Sequence, residues 1–121
     1  MMERWELQGN LQQFTGTEQY HYSPMYTWLV YTDGAKYFFE KGGTHGAYWL
    51  LDLVGSLCSR LRKQQEFMTL DVVSRNGEFK IKITDGDERE LLQREGGRTD
   101  LQEGTWRFFM RNGVLMLPSE Y

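Results

Sequence analysis

The chain has 121 residues, which is enough for one domain but too few for two independent cores. Aromatic residues make up 15% of the chain, and this apolar content argues against disorder. The formal net charge of -3 gives no long-range attraction to phosphate backbones or to anionic membranes. A nucleic-acid partner is therefore not expected.

Cys58 is the single cysteine, which excludes an intramolecular disulfide and a metal site built from several thiolates. The first ten residues lack the apolar core of a secretory signal, and no run approaches the roughly 18 apolar residues of a membrane helix. We therefore expect a cytoplasmic protein with a single domain over 1–121. No motif implies a membrane or a cofactor.

The N-terminal part of the chain is mostly polar and carries one weak helical pattern. Leu7, Leu11 and Phe14 recur at near-helical spacing and predict a short helix over 6–14. The segment 26–32 is rich in aromatic and β-branched residues, so it is predicted to form a strand.

The sequence Asp33-Gly34 leaves two alternatives for the segment that follows. In one, the pair forms a two-residue turn and 35–40 returns as a second strand. In the other, Asp33 caps a short helix over 35–41, and Gly42 ends that helix in a left-handed conformation. Oppositely charged residues four positions apart favour the helix.

The clearest pattern in the sequence is an apolar stripe between 46 and 62. Its residues recur at the intervals of one helix face, which predicts an amphipathic helix of about four turns. They are Ala47, Leu50, Leu51, Val54, Leu57, Cys58 and Leu61. Because Cys58 lies on this apolar side, we expect it to be buried and to behave as a small hydrophobe. Gly55 would allow close packing against a sheet.

Alternating apolar residues predict β structure in the second half of the chain. Two alternating runs flank Asn76-Gly77, and Asn-Gly between such runs is the strongest short-range signal for a hairpin. A second pair of runs flanks Asn112-Gly113 and predicts another hairpin.

A weaker strand is predicted near 88–94, and Gly96-Gly97 is expected to open a polar loop. Taken together, the patterns predict an α+β fold. A long amphipathic helix (about 46–62) would pack on a largely antiparallel sheet of about five or six strands, with a short helix before it.

The candidate ligand-binding residues are Gly43 and His45 of the glycine-rich loop 42–46, together with Lys41 directly before it. Glycines before a helix can present backbone N–H groups to an anion, and Lys41 would add positive charge. His45 is suited to proton transfer, since an unperturbed histidine titrates near pH 6.5. The spacing matches neither a P-loop nor a dinucleotide-binding fingerprint, and an ordinary turn between two helices also explains the loop.

The candidate interaction surface consists of Tyr20, Tyr22, Tyr26 and Trp28. Tyrosine and tryptophan often anchor protein interfaces, although core packing produces the same pattern. Lysine and arginine do not interleave with these aromatic residues, which disfavours nucleic acid. The expected partner is another protein or a second copy of the chain. Two histidines without a carboxylate motif define neither a metal site nor a catalytic group.

Three segments of the sequence carry a family resemblance. They read LQQFTGTE at 11–18, LVYTDGAKY with GAYWLLD at 29–37 and 46–52, and NGVLMLPSEY at 112–121. The chain resembles a family of small uncharacterised bacterial proteins, classed as a domain of unknown function. The resemblance implies a setting in phage, plasmid or mobile-element neighbourhoods and supplies no catalytic or binding residue. Thr44-His45 departs from the family pattern, which weakens a shared role for His45.

Three hypotheses of different classes follow from the sequence. The first is a non-enzymatic protein-interaction or accessory factor of a mobile genetic element or phage. The alternative is a small-ligand-binding or enzymatic domain that uses the loop 42–46 and His45. Nucleic-acid binding ranks last. It would use the basic side chains of Arg60, Arg62, Lys63, Arg75, Lys80 and Lys82.

Overall fold

A computed structural model describes residues 2–121 of the chain. The helices are α1 (Arg4–Leu11), α2 (Asp33–Lys41) and α3 (Tyr48–Cys58), with 3₁₀ turns at Leu61–Lys63 and Pro118–Glu120. The strands are β1 (Tyr20–Tyr22), β2 (Val30–Thr32), β3 (Phe67–Arg75), β4 (Glu78–Asp85), β5 (Glu90–Arg98), β6 (Gly104–Arg111) and β7 (Val114–Met116).

The strands form one sheet in the order β1-β2-β7-β6-β3-β4-β5. Neighbouring strands are antiparallel except for β2 and β7, which are parallel. The predicted α+β class is confirmed within the described residues. The sheet is mixed and has seven strands, however, and the expectation of five or six was too low.

One face of the sheet is buried under the helices. Alternate residues of β3, β4 and β6 point into this core: Met68, Leu70, Val72, Ile81, Ile83, Trp106, Phe108 and Met110. The ring of Phe38 from α2 meets Phe108 edge-on at 5.1 Å, and Phe39 stacks on Phe108 at 6.0 Å. The opposite face of the sheet carries the partly exposed and exposed residues.

The helix predicted over 46–62 was too long. Gly46 has a left-handed φ of 82°, and Ala47 is not yet helical, so α3 begins at Tyr48. The hydroxyl of Ser59 donates to the carbonyl of Gly55 at 2.7 Å, and this side-chain bond competes with the helical ladder near the C-terminal end. Five residues of the apolar stripe are nevertheless buried, and Leu57 and Leu61 are partly buried against the same core.

The helical alternative for the segment after β2 is confirmed. The cap differs from the expectation, since Thr32 rather than Asp33 accepts the N–H of Ala35. Gly42 also departs from the prediction, because its φ of -77° is right-handed. A Cβ at Gly42 would lie 2.7 Å from the carbonyl oxygen of Phe38, so close packing accounts for the glycine.

The strand predicted over 26–32 is confined to its last three residues. The Ser23 side chain accepts the N–H of Tyr26 at 3.1 Å, and Leu29 N–H bonds back to Tyr26, so the first part is a turn. The strand β1 was not predicted. A weak helix predicted over 6–14 is present as α1, which begins and ends a few residues earlier.

Both Asn-Gly hairpins are confirmed. Asn76 and Gly77 have φ values of 55° and 76°, and Asn112 and Gly113 have 51° and 81°, as a two-residue turn of this kind requires. The prediction of a polar loop that opens at Gly96-Gly97 is wrong, because β5 continues through these residues. The ring of Phe79 covers Gly96, where a Cβ would overlap it.

The C-terminal end of the chain closes the fold. Glu120 accepts hydrogen bonds from the hydroxyl of Thr32 at 2.6 Å, from Gly34 N–H at 3.0 Å and from Leu117 N–H at 3.0 Å. Its carboxylate therefore lies at the N terminus of α2, where the helix dipole favours negative charge. A Cβ at Gly34 would lie 2.5 Å from this carboxylate, which explains the glycine.

Replacement of Glu120 tests this closure. Glu120→Ala leaves the Thr32 and Gly34 donors without their acceptor, so we expect the free energy of unfolding to fall by about 1–3 kcal/mol. Glu120→Gln keeps an oxygen and loses the charge, and it should cost less. Urea denaturation measures both. Ser119→Ala, at an exposed neighbour, should stay within about 0.5 kcal/mol. Equal stability of the two alanine variants would contradict the role of Glu120.

Gly55 provides a second test of packing. A Cβ at this position would overlap the ring of Tyr26, which lies directly against α3. Gly55→Ala should therefore lower the free energy of unfolding by about 1–3 kcal/mol, although alanine is the better helix former. Gly9→Ala is the matched control, since Gly9 lies in α1 with nothing within 4 Å of its Cβ position. That variant should be neutral or stabilising in the same urea titration.

Candidate functional site

The glycine-rich loop between α2 and α3 uses its backbone N–H groups within the fold. Gly42 N–H donates to Phe38 at 2.7 Å, and Ala47 N–H donates to Phe39 at 2.6 Å. The N–H of His45 donates to the carboxylate of Asp100 at 3.2 Å. Asp100 is thus the acceptor at the N–H of His45, the position that an anion bound by this N–H would take.

Lys41 and His45 are both exposed side chains at the ends of this loop. Gly43 is buried, and a Cβ there would lie 3.0 Å from the carboxylate of Asp100. Glu40, near the end of α2 before this loop, pairs with Lys36 at 3.8 Å. Ligand binding at these three residues remains a prediction.

A histidine–carboxylate pair does form elsewhere, between His21 of β1 and Asp33 at the start of α2. Nε2 of His21 lies 2.8 Å from Oδ1 of Asp33. The other oxygen of Asp33 accepts the N–H groups of Glu18 and Gln19 at 3.0 and 3.4 Å. The hydrogen bond from His21 and these backbone bonds lower the pKa of Asp33. This network attaches β1 and the preceding loop to α2, and it positions the two residues that flank His21.

Those two residues are the tyrosines of the edge strand. His21 turns toward the helices, where its ring lies 5.4 Å from that of Tyr31. Because side chains alternate along a strand, Tyr20 and Tyr22 point to the opposite, open face. Tyr20 is 57% exposed and Tyr22 is 73% exposed, and Met25 in the next turn is 63% exposed. We call Tyr20, Tyr22 and Met25 the tyrosine surface.

Tyr26 and Trp28, predicted as part of the same surface, have a packing role. The ring of Tyr26 lies on the backbone of α3 at Gly55. Trp28 is covered by the guanidinium group of Arg62, whose Cζ lies 4.6 Å from the ring centroid. These two side chains support the turn before β2, and only half of the predicted group is presented to solvent.

Aromatic residues on the open face of the sheet extend beyond the predicted group. Phe67 and Phe109 lie 5.1 Å apart, and the ring of Tyr121 meets each of them at 5.5 Å. The pairing register also forms one transverse row across five strands, Tyr22, Val30, Val114, Arg111 and Phe67. The sequence contained a signal for this face, because Phe109 alternates with the core residues and falls on the side of Arg107 and Arg111.

The basic side chains considered for nucleic acid do not form one surface. Arg60, Arg62 and Lys63 follow α3, and Arg62 is engaged with Trp28. Lys80 and Lys82 lie on the open face of β4, opposite the acidic Glu95 and the amide of Gln93 on β5. Arg107 is held by both oxygens of Asp71, at 2.7 and 2.9 Å.

Among residues 2–121, no group of three histidine, cysteine, aspartate or glutamate side chains is placed to hold a metal ion. Within the same residues, no helix is both long enough and apolar enough to cross a membrane.

Cys58 is buried on α3, as expected, and burial raises the pKa of its thiol to about 12. At about pH 8 only roughly one thiol in ten thousand would be ionised, and the thiolate is the reactive form. We expect negligible labelling by a disulfide exchange reagent in the native protein and complete labelling in concentrated guanidinium chloride. Rapid native labelling would show that the helix opens readily around Cys58.

Comparison with known proteins finds a family and no individual relative. No curated protein and no solved structure matches the chain. The pattern of a family of unknown function, DUF6876, matches residues 5–121. The chain therefore belongs to the DUF6876 family, whose function is unknown.

Proposed function

We propose that this protein is a non-enzymatic interaction module that binds another protein through the tyrosine surface. The observation that carries the proposal is the exposure of Tyr20 and Tyr22 on an edge strand. Both rings point to the open face of the sheet, and Met25 beside them is also exposed. Tyrosine anchors protein interfaces because it combines a large apolar ring with a polar tip.

The two edges of the sheet differ in a way that supports this choice. The opposite edge strand, β5, exposes Glu90, Arg94, Glu95 and Arg98, and its pairing is interrupted by irregularities. Charges and bulges of this kind protect an edge from association. β1 contains no lysine, arginine, aspartate or glutamate, and its two exposed side chains are both aromatic. The edge at β1 is thus the better suited to contact a partner.

The surface is also held in position before any partner binds. The Asp33 hydrogen bonds to His21 and to the amides of Glu18 and Gln19 attach the edge strand to α2. A surface that is ordered in advance loses less conformational entropy on binding. The family resemblance in the sequence adds a setting to the proposal, in which the protein is an accessory factor of a phage or other mobile genetic element.

Paired substitutions test the tyrosine surface. A tagged full-length chain would be used to recover partners from cells of its source, and the recovered protein would be identified and purified. Tyr20→Ser/Tyr22→Ser should then weaken its Kd by about 30-fold or more, since a hot-spot tyrosine contributes about 2 kcal/mol. Trp5→Ser is the matched control. Trp5 is 73% exposed but lies on α1, and its loss should leave the Kd unchanged.

The outcomes separate the hypotheses. Equal weakening by both variants, or none by either, would contradict binding through the tyrosine surface. Light scattering measures self-association of the chain. Self-association that disappears in the double variant would instead identify a second copy as the partner. The alternative ligand site at Lys41, Gly43 and His45 would be supported by binding of a small ligand that His45→Ala abolishes while the fold is retained.

A further inference from the structure

A cleft of about 530 Å³ lies beside the N-terminal half of β6. We call it the β6 cleft. Its floor and walls include Leu11 of α1, Phe38 of α2, Phe108 of β6 and Leu117 after β7. Gln8 and Gln12 of α1 line its rim. Its volume is in the range of binding pockets, and its walls combine apolar side chains with a few polar groups.

The cleft exists because β7 is shorter than β6. β7 pairs with β6 only at Phe109, Met110 and Arg111, and the chain then enters the 3₁₀ turn Pro118–Glu120, which lines one side of the cleft. Residues 104–108 of β6 therefore have a strand partner on one side, β3, and the cleft on the other. Half of an interior strand behaves here as an edge.

The hydrogen-bond pattern shows which backbone groups face this edge. The N–H of Asn112 donates to Glu66 at 2.9 Å, so even-numbered residues of β6 bond toward β3. In an antiparallel ladder the next residue points both its N–H and its C=O the other way. The backbone N–H and C=O groups of the odd-numbered residues accordingly point toward β7. Those of Thr105 and Arg107 lie beyond the end of β7. They point into the cleft and have no strand partner there.

The charged residues near this edge indicate which kind of ligand would fit it. Arg4 and Arg75 lie beside Gln8 and Thr105 in an adjoining depression. No salt bridge involves either arginine within residues 2–121. The one acidic side chain in that depression, Glu103, already accepts the N–H of Asn76 at 2.9 Å. The two arginines outnumber the one carboxylate, so the formal charge of this depression is positive, while the wall of the cleft is apolar.

We propose that the β6 cleft binds an extended segment of a partner protein, which adds to β6 as a short strand. Its backbone bonds to Thr105 and Arg107, and alternate apolar side chains pack against Leu11, Phe38 and Leu117. Acidic side chains at one end meet Arg4 and Arg75. Strand addition of this kind takes its affinity from main-chain hydrogen bonds and its specificity from pockets for alternate side chains.

This site is separate from the tyrosine surface and does not depend on it. The tyrosine surface belongs to β1 at the outer edge of the sheet, whereas the β6 cleft lies beside β6, and β2 and β7 lie between β1 and β6. Substitutions can therefore remove one site and leave the other.

Amide hydrogen exchange of the free protein tests the open edge directly. The N–H groups of Thr105 and Arg107 should exchange about 100-fold faster than those of Trp106 and Phe108, which bond to β3. Equal protection of all four amides would overturn the proposal, because no free edge would remain for a strand to join.

Selection of random peptides displayed on phage tests the ligand class. The full-length chain is the bait, and Gln8→Trp, which fills the cleft from an exposed helix position, is used for counter-selection. We expect peptides with alternating apolar residues and acidic residues at one end, with a Kd on the order of 10 µM. Gln8→Trp should weaken their binding at least about tenfold, whereas Gln13→Trp, at an exposed position outside the cleft, should not.

Each result decides the proposal. Slowed exchange at Thr105 and Arg107 on addition of a selected peptide supports an added strand. Recovery of no peptide overturns the proposal, and so does recovery of purely acidic peptides without an apolar pattern. Binding that Gln8→Trp leaves unchanged also overturns it. Binding that is lost in Tyr20→Ser/Tyr22→Ser would place the peptide on the tyrosine surface and overturn the separate site.

Discussion

The insertion of β7 between β2 and β6 holds the sheet together. The pair β1–β2 belongs to the first third of the chain, and β3–β6 to the second half, and in the sheet they meet only through β7. The three residues Val114–Met116 pair antiparallel with β6, and two of them, Val114 and Leu115, also pair in parallel with β2. The carboxylate of Glu120 then reinforces the closure by bonding to Thr32 and Gly34, at the junction of β2 and α2. Pairing between distant parts of the chain carries a loop-closure cost, which these bonds help to offset.

The surfaces that we assign to function follow from this constraint. Since β7 is short, the N-terminal half of β6 pairs with β3 on one side and has no strand partner on the other, where the β6 cleft forms. Since β1 is added outside β2, its tyrosines lie at the edge of a sheet covered by helices on one face only. His21, between them, turns inward to Asp33 and keeps the two rings on the open face. Structural and exposed roles thus alternate along a strand of three residues.

The candidate site was only partly predictable from the sequence. Tyr20 and Tyr22 could be named from their residue type and spacing, but the same reasoning included Tyr26 and Trp28, which pack on Gly55 and under Arg62. Residue type does not distinguish a buried aromatic side chain from an exposed one, because protein cores and protein interfaces both favour large apolar rings. The cleft could not be predicted, since it depends on where β7 stops relative to β6. The glycine loop was visible in the sequence, whereas the presence of Asp100 beside it, 55 residues later, was not.

Local chemistry by itself determined the elements whose signals lie within a few neighbouring residues. The two Asn-Gly hairpins, the apolar face of α3 and the alternation in β3, β4 and β6 could all be predicted, because turn geometry and side-chain periodicity are local properties. Only the tertiary structure decided what depends on distant residues. The pairing of β1 with β2 and the parallel contact of β2 with β7 depend on such residues. Whether an aromatic residue is buried or exposed was decided in the same way, by which part of the chain packs against it.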